Sequence, residues 1–195
     1  TLRDDLPKDV KGVIEKIAKA GYNEVETYGF SSKTGFWGLT ASEFGNLLTD
    51  NGLYSPSGHF GLGSYLADGD TKELHASIEA AKTLRSKYVT IPWMEAKELK
   101  NLDACKRTAE KMNEAGRLCK DAGLKLAYHN HSFEFDKIGN TNGYEILLKE
   151  TDKKLVHFEM DLYWVVRSGN DPIKLFKEHP GRFSMWHVKD MDKIK

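Results

Sequence analysis

The chain has 195 residues, 39% of them hydrophobic and 30% charged, which suits one globular unit with a well-buried core. Its 29 basic residues balance 29 acidic ones, so no overall field draws a polyanion, and nucleic acid is not an expected partner. No run approaches the roughly 18 to 20 apolar residues of a membrane span, so no membrane association is expected, and residues 1–5 lack the apolar core of a signal peptide.

In chain order, a helix is predicted over 10–20 behind Pro7, closed by Gly21, and a strand over 24–29. Thr40-Ala41-Ser42-Glu43 reads as a capping box that opens the next helix, and Gly52 ends it before a strand at 53–60. Then come a helix at 70–85, a strand at 88–93, a helix at 102–122 closed by Gly123, and a strand at 125–131. A helix at 143–150, a strand at 156–162, a helix at 172–179 and a strand at 183–190 complete the series. Cys105 and Cys119 share one predicted helix, where 14 positions hold them roughly 21 Å apart, so they cannot pair and form no zinc motif.

Strands alternating with helices argue for an α/β fold with a parallel sheet. Strand starts advance by about 32 residues, close to the repeat of an eight-unit (β/α)8 TIM barrel. A doubly wound sheet would usually carry a glycine-rich phosphate loop after its first strand, and none is found. Six of the eight strands are counted. The expectation is therefore one TIM barrel domain over 1–195, truncated at both ends, with a further strand on each side. With the natural start expected upstream of Thr1, a cytoplasmic location is only the default, and a periplasmic or secreted one stays open.

A barrel of this kind places its active site at the C-terminal strand ends. Those ends carry Glu26 and Tyr28, His59, Trp93, His129 and His131 with Glu134, Asp161 and Trp164, and His187 and Lys189. Imidazoles with carboxylates are the ligand set of Mn, Co or Zn, with Mg a weaker fit. His129 and His131 lie two apart and face one side of a strand, so one could bind a metal while the other moves a proton. Asp161 closes a strand read as apolar, where a carboxylate must be paired, cap a helix or hold a cation. His187 and Lys189 share a face opposite Trp186 and Val188, and Lys189 there could hold a phosphate or polarise a carbonyl. Trp37, Trp93 and Trp164 offer ring faces to the C–H surface of a sugar.

Five segments in order, Gly21-Tyr22-Asn23-Glu24-Val25-Glu26, Gly52-Leu53-Tyr54-Ser55-Pro56-Ser57-Gly58-His59, Leu126-Ala127-Tyr128-His129-Asn130-His131, Met160-Asp161-Leu162-Tyr163-Trp164 and His187-Val188-Lys189-Asp190, carry a resemblance. The chain resembles the sugar isomerases and epimerases of the xylose isomerase-like barrels, a group that also holds the endonuclease IV proteins. In such relatives a metal is held by a glutamate on the fifth strand, an aspartate on the sixth, a histidine on the seventh and a glutamate on the eighth. The resemblance gives Asp161 and His187 the middle places and puts the last beyond Lys195. At the first place the family's Leu-Ala-x-Glu reads Leu126-Ala127-Tyr128-His129. Either His129 replaces the glutamate as ligand, or Glu134 reaches back to the metal while the histidines serve as acid and base.

The resemblance implies a metal-dependent sugar or sugar phosphate isomerase or epimerase. His129, His131 and Glu134 would be its catalytic residues, with His129, Glu134, Asp161 and His187 as metal ligands. Glu26, Trp37, His59, Trp93, Trp164 and Lys189 would bind a small carbohydrate. The missing fifth-strand glutamate keeps elimination by a lyase or dehydratase, and a non-catalytic sugar-binding barrel, as alternatives. Phosphodiester hydrolysis is disfavoured by the balanced charge. A homo-oligomer is compatible with the sequence.

Overall fold

Asp9 caps the first helix, α1 (Val10–Lys19), by accepting the Gly12 N–H on its side chain at 2.9 Å, as the orphaned donors of a helix start require. The structure is a computed structural model and describes residues 2–189. From α1 the chain enters β1 (Glu24–Ser31), which folds back through the short β2 (Gly35–Phe36), and α2 (Ala41–Asp50) follows. The capping box is present: the Thr40 Oγ1 accepts the Glu43 N–H, and Glu43 reaches back to the Thr40 N–H at 2.8 Å.

Next come β3 (Tyr54–Phe60), α3 (Gly63–Asp68), α4 (Lys72–Thr83), β4 (Tyr88–Ile91), α5 (Leu102–Asp121) and β5 (Lys125–His129). A small ribbon of β6 (Lys137–Ile138) and β7 (Thr141–Asn142) leads into α6 (Gly143–Glu150). The described chain ends with β8 (Val156–Asp161), α7 (Leu162–Arg167), α8 (Pro172–Glu178) and β9 (Phe183–His187).

The main sheet runs β2-β1-β3-β4-β5-β8-β9, with every pair parallel except the β1–β2 hairpin. Among the parallel strands the order never reverses. A doubly wound sheet needs such a reversal, so the six parallel strands are an incomplete barrel, open between β1 and β9 among the described residues. Alternation along the strands sets the two faces. In β8, Val156, Phe158 and Met160 pack with Leu126, Tyr128 and the α5 residues Met112 and Cys119 in the hydrophobic core. At Gly116 a Cβ would stand 2.7 Å from the Leu155 carbonyl oxygen, so glycine lets α5 lie close to the entry of β8. Both cysteines are buried and free.

β1 runs two residues past its predicted end and β3 ends where predicted, while β4, β5, β8 and β9 stop one to three residues earlier than the periodicity predicts. The 156–162 strand stops at Asp161 because Asp161 caps α7, and α7 and α3 are helices too short to leave a periodic signal. The predicted end of the last strand, Asp190, lies outside the described residues.

Candidate functional site

The C-terminal strand ends surround a cavity of about 970 Å³. Glu26, Tyr28 and Trp37 form one wall and His59 and Trp93 the next, and His129, His131, Asp161, Trp164, His187 and Lys189 close the rest. All but one of the residues picked out from the sequence therefore line one concavity.

Its centre is built by register. Strand pairing sets His129 beside Glu159 and Asp161 beside His187, so two imidazoles and two carboxylates face each other across three strands. His129 Nε2 lies 3.5 Å from Asp161 Oδ2, and His187 Nδ1 lies 3.5 Å from the same oxygen. Asp161 Oδ1 accepts the Trp164 N–H at 3.0 Å and caps α7, while the Asp161 N–H donates to Asn130 Oδ1 at 3.0 Å. Oδ2 is left buried without a hydrogen-bond partner, as is His187 Nδ1. An orphaned buried carboxylate oxygen facing two ring nitrogens is an arrangement that a cation satisfies. The donor atoms of His129, Asp161 and His187 all lie within 4.8 Å of one another, and imidazole with carboxylate suits a Mn, Co or Zn ion.

Behind this group lies a second set. Glu159 Oε2 accepts from His129 Nδ1 at 3.0 Å and from His59 Nε2 at 2.9 Å, and Glu26 Oε2 stands 3.4 Å from that same His59 nitrogen. Burial alone would raise the Glu159 carboxyl, but hydrogen bonds and charge from His129 and His59 hold it well below the usual carboxylate range. For His59 burial works the other way, yet the hydrogen bond to Glu159 and the charges of Glu26 and Glu159 leave its pKa raised. Glu26 keeps about a third of its side chain open to the cavity (32%), but the surrounding walls strip enough water to push its carboxyl up to about 7. Burial, then the neighbouring His129, lowers His131 to about 4, so its ring is neutral near pH 7.

Glu134 is a correction. The chain turns away after His131, and a 3-10 turn over Phe133–Phe135 tucks this carboxylate beneath β5, outside the cavity. There Oε1 accepts the Tyr128 hydroxyl at 2.5 Å, and both oxygens accept the His131 N–H at 2.9 Å. Glu134 therefore supports the backbone that carries His131, with its oxygens on the Tyr128 hydroxyl and the His131 N–H and not in the cavity.

Glu159 is the residue that sequence reasoning missed, and its signal was parity: it shares a strand face with Asp161, opposite Val156, Phe158 and Met160. Tyr28, whose hydroxyl is buried without a partner, also lines the cavity.

The aromatic wall is packed in place. Trp37 meets Tyr28 edge-on at 5.0 Å and Phe44 at 5.7 Å. It also lies so close over Gly29 (φ 79°) that a Cβ there would stand 2.8 Å from the indole. Across the cavity Trp164 stands 5.6 Å from His131, and Lys189 Nζ lies over the Tyr163 and Trp164 rings at 4.5 and 4.9 Å. Trp186 and Val188 point outward and are exposed.

A family model described as "Xylose isomerase-like TIM barrel" matches residues 14–195. The chain belongs to the xylose isomerase-like TIM barrel family. Within that family it resembles an inosose dehydratase of Clostridium perfringens, 33% identical over 104 residues, which are 53% of this chain and 34% of that protein. The chain thus matches about a third of the length of this curated relative. A sugar phosphate isomerase/epimerase from Parabacteroides distasonis superposes with a TM-score of 0.84 at 28% identity, covering 96% of this chain and 71% of that one. An AP endonuclease, family 2, from Brucella melitensis shares the barrel at a TM-score of 0.69 and 14% identity, covering 95% and 78% of the two chains.

Proposed function

We propose that this xylose isomerase-like barrel is a divalent-metal-dependent enzyme that removes a proton next to the carbonyl of a sugar or cyclic polyol ketone. The observation that carries the reading is the convergence of His129 Nε2, His187 Nδ1 and the unpartnered Asp161 Oδ2 at the barrel mouth. His129, Asp161 and His187 would hold the cation, with Mn, Co or Zn the best match to the donors. Bound there, it supplies a Lewis acid that polarises the carbonyl and makes the neighbouring C–H more acidic.

His131, beside His129 on one wall, is placed to take that proton, and its neutral ring has a free nitrogen for the task. Glu26, beside His59, would return a proton or deliver one to a departing hydroxyl. Trp37, Trp93 and Trp164 stack on the C–H faces of the ring and exclude water, and Lys189 lies near the mouth to meet an anionic or carbonyl oxygen. Return of the proton to a neighbouring or opposite position gives isomerisation or epimerisation. Loss of the hydroxyl on the carbon beyond gives dehydration, in which His131 gains the α-proton, Glu26 gives one up, and water leaves. Two features favour elimination: the resemblance to an inosose dehydratase, and proton-handling groups of different type, an imidazole and a carboxylate, lining one cavity.

The test is elemental analysis with solvent deuterium exchange. About one Mn, Co or Zn per chain, lost in Asp161→Ala and His187→Ala, with deuterium entering a keto sugar only in the loaded wild type, is the expected result. No bound metal after loading, or exchange unchanged in both variants, refutes the reading.

A further inference from the structure

Building on the metal reading above, we infer that Glu159 is the positioning residue of the site, a carboxylate whose Oε2 orients both His59 and His129 and thereby aims His129 Nε2 at Asp161. A neutral imidazole carries one N–H and one lone pair, and the partner of the first decides where the second points. His129 Nδ1 and His59 Nε2 approach the same Glu159 oxygen at 3.0 and 2.9 Å, and a carboxylate oxygen only accepts, so each ring must donate there. In His129 that puts an N–H on Nδ1, and when the ring is neutral the lone pair is on Nε2. That nitrogen lies 3.5 Å from Asp161 Oδ2, an acceptor with no hydrogen-bond partner of its own. Two acceptors facing each other repel unless a proton or a metal cation lies between them.

The geometry around Glu159 is rigid enough for this role. It is 3% exposed and sits in the middle of β8, paired in register with His129 on β5 and Met185 on β9. Its carboxylate bridges a ring from β3 and a ring from β5, so one residue ties together three strands of the mouth. Carboxylates behind metal-binding histidines raise ligand basicity and fix the tautomer, and their loss typically weakens metal affinity by about 10- to 100-fold. His59 is then held as part of the frame, and its ring lies 5.0 Å from that of His129.

The experiment compares the whole chain with Glu159→Leu and Glu159→Gln. Histidine ring ¹⁵N NMR on metal-free protein reads the tautomer, and titration with Co²⁺ alone, followed by visible absorption, reads affinity and stoichiometry. Expected are the Nδ1–H form of His129 in the wild type, its loss in Glu159→Leu with affinity about 10- to 100-fold weaker, and partial recovery in Glu159→Gln, whose amide oxygen still accepts. An Nε2–H form in the wild type, tautomer and affinity unchanged in Glu159→Leu, or two Co²⁺ per chain with one lost on substitution, which would make Glu159 a ligand, each overturns the proposal. The tautomer signal separates the two readings: a Glu159-dependent Nδ1–H form in a wild type that binds no Co²⁺ upholds the role of Glu159 and refutes the metal site.

Discussion

Asn130 Oδ1 accepts the backbone N–H of Asp161 at 3.0 Å, so a fully buried side chain just past the end of β5 grips the last residue of β8 at the point where its carboxylate turns into the cavity. The Asn130 amide also donates to the His131 carbonyl at 3.3 Å, which ties the His131 and Asp161 segments together. Asn130→Ala leaves a buried N–H unpaired, and we expect it to destabilise the fold by about 1 to 3 kcal/mol in urea denaturation. Co²⁺ affinity should fall with it, because the Asp161 carboxylate loses its anchor.

Metal binding should register as thermal stability. A ligand that binds only the folded chain adds about 2.7 kcal/mol at a concentration 100 times its Kd. Removing metal with a chelator should lower the Tm, and adding Mn²⁺, Co²⁺ or Zn²⁺ should restore it. In Asp161→Asn, which keeps an oxygen to cap α7 but loses the negative charge, the restoring effect should disappear, and calorimetry would show it.

Glu134 gives the stability a pH dependence of defined sign. Burial, opposed by the hydrogen bonds from Tyr128 and His131, raises its carboxyl from 4.5 to about 7. Between those values the folded chain holds a proton that the unfolded chain has released, so stability falls as pH rises. The contribution is fully present below about pH 4.5 and lost as pH passes 7, a difference of about 3 kcal/mol for this group. Glu134→Gln keeps an oxygen for both donors and has no proton to lose. Urea denaturation at pH 5 and pH 8 should show the variant losing less stability across that interval than the wild type.

Gly29 should resist substitution. With φ at 79° and the Trp37 indole 2.8 Å from where a Cβ would stand, alanine strains the backbone and displaces the ring. We expect Gly29→Ala to cost about 1 to 2 kcal/mol from the left-handed backbone alone. Once a substrate is in hand, the displaced Trp37 should raise KM more than it lowers kcat, and steady-state kinetics would reveal a reversal of that order.

Much of this was legible in the sequence because strand ends and side-chain parity are local properties. The apolar runs around Val89, Leu126 and Phe158 mark strands, and the polar residues that close them, His59, His129, Asp161 and His187, are carried to the barrel mouth by the fold. What was missed depended on direction. Glu159 lay inside a run read as apolar, although every second residue of that run faces the cavity side. Glu134 follows the His129–His131 face in sequence, but a turn intervenes, and a turn cancels strand parity. The antiparallel β2, two residues long, is held by pairing with β1, which no local pattern announces.

The divided carboxylate of Asp161 gives the chain an intrinsic optical reporter. One oxygen holds the first turn of α7 through the Trp164 N–H, and the other faces the two histidines. Any charge that settles against the second oxygen pulls on the same carboxylate that seats Trp164. The indole lies close to both an imidazole and an ammonium group, and its emission responds to the field and contacts they impose. Occupancy of the barrel mouth should therefore be visible in tryptophan fluorescence without a label, and Trp164→Phe should remove the part of the change that this indole contributes, leaving that of Trp37 and Trp93.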